Sequence, residues 1–103
     1  MAAKHTLIYL KALGTPVSLD FKVYSEISDN VANDIHHICT REDRIENLMA
    51  LTRKEHIDWG EKKHLMYDLL VIHRTFLDVQ CIKYSKSWFD EQMQRWKPEK
   101  DYN

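Results

Sequence analysis

Hydrophobic positions along this chain change period several times, and each change predicts an element. Thr6 to Ala12, Thr-Leu-Ile-Tyr-Leu-Lys-Ala, is β-rich and mostly apolar, which suits a strand or a short buried helix. Gly14-Thr15-Pro16 is the clearest turn signal. Phe21, Val23, Ser25 and Ile27 then alternate with Lys22, Tyr24 and Glu26, as on a half-buried strand with one wet face. A hairpin of these two strands across Gly14-Thr15-Pro16 is the preferred local structure.

Beyond it the period lengthens. Ser28 or Asp29 is placed to cap a helix carrying Val31, Ile35, Ile38, Ile45 and Met49 on one stripe. Thr40-Arg41-Glu42-Asp43 resembles a capping box that would break this helix in two. The segment from Arg53 to Gly60 is a charged connector holding His56, Asp58 and Trp59. Glu61 to Arg74 reads as the second main helix, with Leu65, Leu69 and Ile72 inward. Alternation returns in Phe76 to Tyr84 and predicts a strand from Leu77 to Tyr84. Ser87 is placed to cap a last helix with Asp90 three residues on, whose apolar face is Trp88, Phe89, Met93 and Trp96 and which Pro98 stops. The expected fold is a single α+β domain over residues 1–97. Its small antiparallel sheet, an N-terminal hairpin plus a strand near 77–84, packs against two or three helices. Residues 98–103 form a polar C-terminal tail.

Composition narrows the class. With 103 residues there is room for one core, and 44% hydrophobic with 30% charged residues makes a chain that folds. Two glycines and two prolines leave little for disorder. Fifteen basic and sixteen acidic residues give a net charge of −1, which argues against wrapping nucleic acid through its phosphates. The six histidines would make the domain cationic on acidification. Near-zero charge also permits association with a partner or with a second copy of the chain. Cys39 and Cys81 sit in apolar patterns without a Cys-x-x-Cys spacing, so reduced core thiols are expected. No signal-peptide pattern opens the chain, and its apolar runs are too short to span a bilayer. A cytoplasmic location without membrane contact is therefore expected.

Candidate chemistry is sparse. On a helix, His36 and Cys39 of the run His36-His37-Ile38-Cys39 would face one ion, with His56, His64 or His73 as further ligands. No second close-spaced Cys/His pair or His-Glu-x-x-His helix supports that zinc reading, so no metal is assigned. His64 and His73 do not share a helix face. His73 reads as a hydrogen-bonded boundary residue rather than a general base. With glycine only at positions 14 and 60, neither a phosphate-binding loop nor a dinucleotide fingerprint is present. No catalytic residue and no cofactor are expected. Near the end Lys83, Tyr84, Lys86, Trp88, Phe89, Arg95, Trp96 and Lys97 interleave aromatic and basic character, as in single-strand binders. Asp90, Glu91, Glu99 and Asp101 dilute that mix, and nucleic acid is not favoured. Trp96 with Arg95, and Trp59 in the connector, lie at element edges in charged surroundings and are the expected partner contacts.

From Phe21 to Arg95 the chain resembles a small early protein of podophages that binds the host nucleoid-silencing protein H-NS and relieves its repression. The shared features are Phe21-Lys22-Val23 opening a strand, the alternation that leads into a Val/Ile-rich helix, and Gly60 before a Lys-rich helix start. Further on come Leu70, Leu77, Ser85 and Met93. The first twenty residues, the richly charged connector and the histidine cluster have no counterpart there. The resemblance implies a non-enzymatic inhibitor in the infected bacterial cell, directed at H-NS or another host regulatory or defence protein. It carries over no catalytic residue. The competing readings are a small nucleic-acid- or nucleotide-binding module and a zinc-binding protein.

Overall fold

The computed structural model describes residues 3–14 and 22–98. Among these, four α-helices and a two-stranded antiparallel sheet follow in the order α1 (Lys4–Leu13), β1 (Asp34–His37), β2 (Leu48–Leu51), α2 (Arg53–Glu55), α3 (Met66–Val79) and α4 (Lys86–Trp96). A π-turn over His56–Gly60 prolongs α2, and 3-10 turns over Ile45–Asn47 and Lys63–Leu65 lead into β2 and α3. The α+β class is as expected, but the strands lie elsewhere.

β2 is the centre of the molecule. Leu48-Met49-Ala50-Leu51 contains no polar residue, and all four are fully buried. A strand sends successive side chains to opposite faces. Leu48 and Ala50 pack with Tyr9 and Leu10 of α1 and with Val23. Met49 and Leu51 pack with Leu69, Leu70 and Leu77 of α3 and with Trp88 and Phe89 of α4. The ribbon is therefore a middle layer covered on both faces, which explains its uninterrupted apolar run. Each buried Leu or Met of this strand contributes roughly 1.5–3 kcal/mol, and Ala50 less. β1 joins β2 with Ile35 opposite Ala50, His36 opposite Met49 and His37 opposite Leu48.

The expected N-terminal hairpin is corrected. Thr6 to Ala12 belongs to α1, where Tyr9, Leu10 and Leu13 share one helical face against the ribbon. Gly14 is the left-handed cap of that helix, with φ of 72° and its N–H bonded to the carbonyls of Leu10 and Lys11. The rest of the predicted turn, Thr15 and Pro16, and the predicted strand start at Phe21 lie outside the described residues. The alternation from Lys22 onward is real, since Val23 and Ser25 are buried while Lys22 and Tyr24 are exposed. Its partner is different: Tyr24 bridges to Val31, flanked by bonds from Ser25 N–H to the Asn30 carbonyl and from Ala32 N–H to the Val23 carbonyl.

The helix predicted from Ser28 through Met49 is also corrected. Its stripe residues sit on two strands and the turns around them, and Val31 is 48% exposed. Asn30, Asn33, Asp34, Thr40 and Asn47 are weak helix formers that prefer turns. The connector is helical instead, because Thr52 and Glu55 form a reciprocal capping box. The strand predicted over Leu77–Tyr84 is replaced by the end of α3. Leu77 is the last buried position on that helix, after Leu69, Leu70 and His73. Cys81 then takes a left-handed φ of 57°, with Cys81 N–H bonded to the Asp78 carbonyl and Ile82 N–H to the Leu77 carbonyl. That is a Schellman stop built on a residue with a Cβ. The cap of α4 is Ser85 rather than Ser87, its hydroxyl accepting from Trp88 N–H at 3.2 Å. Cys39 and Cys81 are both free, and Cys81 is exposed rather than a core thiol.

Candidate functional site

His36 and His37 are neighbours on β1, so strand geometry turns them to opposite faces. His36 points to the side that carries the α2 turn. It is buried, its ring lies 4.6 Å from that of His56, and the Gly60 backbone approaches so closely that a Cβ there would sit 3.1 Å from His36 Nε2. Burial, with the neighbouring His56 and His37, pushes the His36 ring down to about 4, against smaller opposing effects of the Gly60 backbone and Asp34. His36 Nε2 finds no partner among the described residues. His56 is held by Asp34, Nδ1 to Oδ2 at 3.1 Å.

Cys39 belongs to a different environment. Its Sγ lies 3.6 Å from Gln92 Oε1 and 3.7 Å from Asn47 Oδ1. Burial, then Glu42, pushes the thiol up to about 12 despite Arg95. The helical pairing of His36 with Cys39 as metal ligands is therefore corrected: the segment is not a helix, and the two side chains have separate partners.

His37 faces α1. Its Nε2 is 2.8 Å from Asp43 Oδ1, and its ring centroid is 4.7 Å from that of His5. The hydrogen bond from His37 holds the Asp43 carboxyl below its ordinary range against the opposing effect of burial, with smaller help from the surroundings that include Lys4. His5, His37 and Asp43 each bring one ligand atom within 4.8 Å of the others. The sequence pattern does not bring this group together, because its members lie on separate elements and a helical reading of residues 31–49 turns His37 elsewhere. The signal that could have found it is the β-type alternation of Asp34 to His37, which puts only one of the two histidines on the α1 face.

Another histidine–carboxylate pair lies inside the core. His73 and Glu26 have fully buried side chains, with His73 Nδ1 2.6 Å from Glu26 Oε1. His73 Nε2 donates to the Ile45 carbonyl at 2.6 Å, and the Tyr9 hydroxyl donates to Glu26 Oε2 at 2.5 Å. One proton lies between Nδ1 and Oε1, so the pair is compensated whichever atom holds it. Burial, then the Glu26 charge, raises the Tyr9 phenol far above its ordinary range. An open cleft of about 580 Å³ is lined in part by Tyr9, Glu26, Phe76 and Gln80, yet Tyr9 and the Glu26 and His73 side chains have no accessible surface. The triad joins α1, the Glu26 turn and α3 as a structural tie.

The expected partner contacts are spread out. Trp59 is on the π-turn, 38% exposed, beside Ile57 at 61%. Arg95 is exposed on the last turn of α4. Trp96 is half-buried and packs on the main core, with its indole nitrogen buried and no acceptor among the described residues. The turn bearing Trp59 packs on β1, whereas α4 packs on α3. No helix among the described residues is long and apolar enough to cross a membrane. No family model, curated protein or solved structure matches this chain.

Proposed function

We propose that this protein acts by binding another protein and transforms no substrate, as a phage-type inhibitor of a bacterial host protein. H-NS is the first target to test, with other host regulatory or defence proteins behind it. The observation that carries this reading is the exposure of Ile57 and Trp59 on a segment whose backbone is fixed at both ends. At its start Thr52 accepts from Glu55 N–H at 3.1 Å, and the Glu55 carboxylate accepts from Thr52 N–H at 2.9 Å and from the Ser25 hydroxyl at 2.5 Å. At its end the Gly60 backbone lies against His36. Apolar side chains carried on a fixed backbone cost less ordering on docking than those of a loose loop, which favours them as anchors. Lys54 and Asp58, paired at 3.1 Å, supply a polar rim.

The core polar groups support the same reading, since Tyr9, Glu26 and His73 are all bonded internally and out of reach of a substrate. Arg95 is a second candidate contact on a separate element.

The test is a calorimetric titration of purified H-NS with the native chain and with Trp59→Ala. The expected result is saturable binding that Trp59→Ala weakens at least tenfold, with an unchanged circular dichroism spectrum. No heat of binding removes H-NS as the target. Capture from bacterial lysate then tests the wider claim: a host protein retained by the native chain and lost with Trp59→Ala is expected, and no retained protein overturns it.

A further inference from the structure

We infer that His5, His37 and Asp43 form a zinc site that ties α1 to the β-ribbon. Two imidazoles and one carboxylate are the donor set of open zinc sites, in which water completes the tetrahedron. Zinc bonds of about 2.0–2.1 Å place tetrahedral donor atoms about 3.3 Å apart. The donor atoms here lie within 4.8 Å of one another, with His37 Nε2 and Asp43 Oδ1 at 2.8 Å. Entry of the ion requires the His37–Asp43 contact to open and His5 to move in, both within the reach of side-chain torsions.

The scaffold is already rigid around these ligands. His37 is fixed by its pairing with Leu48 on the fully buried β2. Asp43 sits on a loop held from inside by Asn47. Asn47 Oδ1 accepts from the N–H groups of Cys39 and Thr40 at 3.0 and 3.2 Å, and Nδ2 donates to the carbonyls of Thr40 and Glu42 at 2.9 Å each. Glu42 is further tied by the Trp88 indole N–H at 2.9 Å. His5 rides on the first turn of α1, whose buried Tyr9 and Leu10 seat the helix on the ribbon. Ligands from three elements, supported by an outer layer of hydrogen bonds, are what a metal site of useful affinity needs.

Both imidazoles and the carboxylate are partly open to solvent, so the ion has an entry path. The site is independent of Trp59 and of the binding role above. Bound zinc would cross-link the start of α1, which has no side-chain cap and no acidic residue in its first turn, to the hairpin.

The experiment uses the full chain without an affinity tag. Zinc chloride alone is titrated by calorimetry, and cobalt(II) is titrated by visible absorption. One ion per chain is expected, with a tetrahedral cobalt spectrum lacking a thiolate charge-transfer band. His5→Ala, His37→Ala and Asp43→Asn should each lower zinc affinity at least tenfold, while His56→Ala leaves it unchanged. Zinc should raise the melting temperature of the native chain and not of His5→Ala. His5→Ala alters a partly exposed helix position, so it keeps the test valid if His37→Ala fails to fold. Absence of saturable one-to-one binding, affinity retained in His5→Ala and Asp43→Asn, or a thiolate band that places the ion at a cysteine would each overturn the assignment.

Discussion

Two of the histidine–carboxylate pairs among the described residues have nearly equal separations in opposite settings. His73 and Glu26 meet at 2.6 Å with no solvent access, and every facing atom is used by Tyr9, Ile45 or Ala50. His37 and Asp43 meet at 2.8 Å near the surface, with a third ligand-type side chain, His5, beside them. The same residue pair therefore serves two ends. A sealed pair fixes the packing of three elements, and an open pair leaves room for an ion. Burial and free coordination space, rather than residue identity, separate structural from chemical histidines here.

The strongest way to break that contrast is to remove one partner of the sealed pair. Glu26→Ala leaves His73 and the Tyr9 hydroxyl buried without their acceptor, and should cost about 3–5 kcal/mol in urea unfolding. Asp43→Asn, without zinc, removes only a solvent-screened pair and should lower the urea midpoint far less. Equal losses at the two sites would erase the distinction.

A second prediction concerns Glu46, which is buried and links the ribbon to α4. It accepts from Arg44 Nε at 2.9 Å and from Ser85 N–H at 2.7 Å. Burial alone would raise this carboxyl, but the Arg44 and Ser85 contacts outweigh it and hold it low. A carboxyl lowered by folding contributes stability that is present above its unfolded pKa of about 4.3 and is lost as pH falls below it. Glu46→Gln should therefore cost about 2 kcal/mol at pH 7, and the difference from the native chain should shrink on acidification below about pH 4. A constant difference across that range, followed by denaturant unfolding, contradicts the ion-pair account.

Much of the fold was legible as period but not as placement. The alternation of Val23 and Ser25 with Lys22 and Tyr24, and the inward Leu69, were read correctly because each is a local pattern. β2 was missed because a strand covered on both faces shows no alternation, and Met49 matched a helical stripe by chance. The strand at Leu77–Tyr84 failed because a helix end, a Schellman turn and a loop together imitate period two. Trp59 stood out from its charged surroundings, while the His5–His37–Asp43 group depends on tertiary contacts between distant residues.

Smaller effects sharpen the picture further. Cys81 holds a left-handed conformation that costs a side chain with a Cβ roughly 1–2 kcal/mol. Cys81→Gly should stabilise the protein by about 1 kcal/mol after the greater entropy of glycine in the unfolded chain is offset. An unchanged or lower urea midpoint contradicts the Schellman assignment. The two thiols should also separate kinetically. Cys81 is exposed and should react quickly with a chromogenic disulfide at pH 8, whereas Cys39, half-buried and pushed up to about 12, should lag far behind. Equal rates would show that the hairpin loop opens readily.

The claim that this protein recognises H-NS through the turn bearing Trp59 is tested most directly by hydrogen exchange with and without purified H-NS. The account predicts slowed exchange across residues 53–60, centred on the segment that presents Ile57 and Trp59, and none added at the already sealed β2. No change in exchange, or protection confined to other elements, would contradict it.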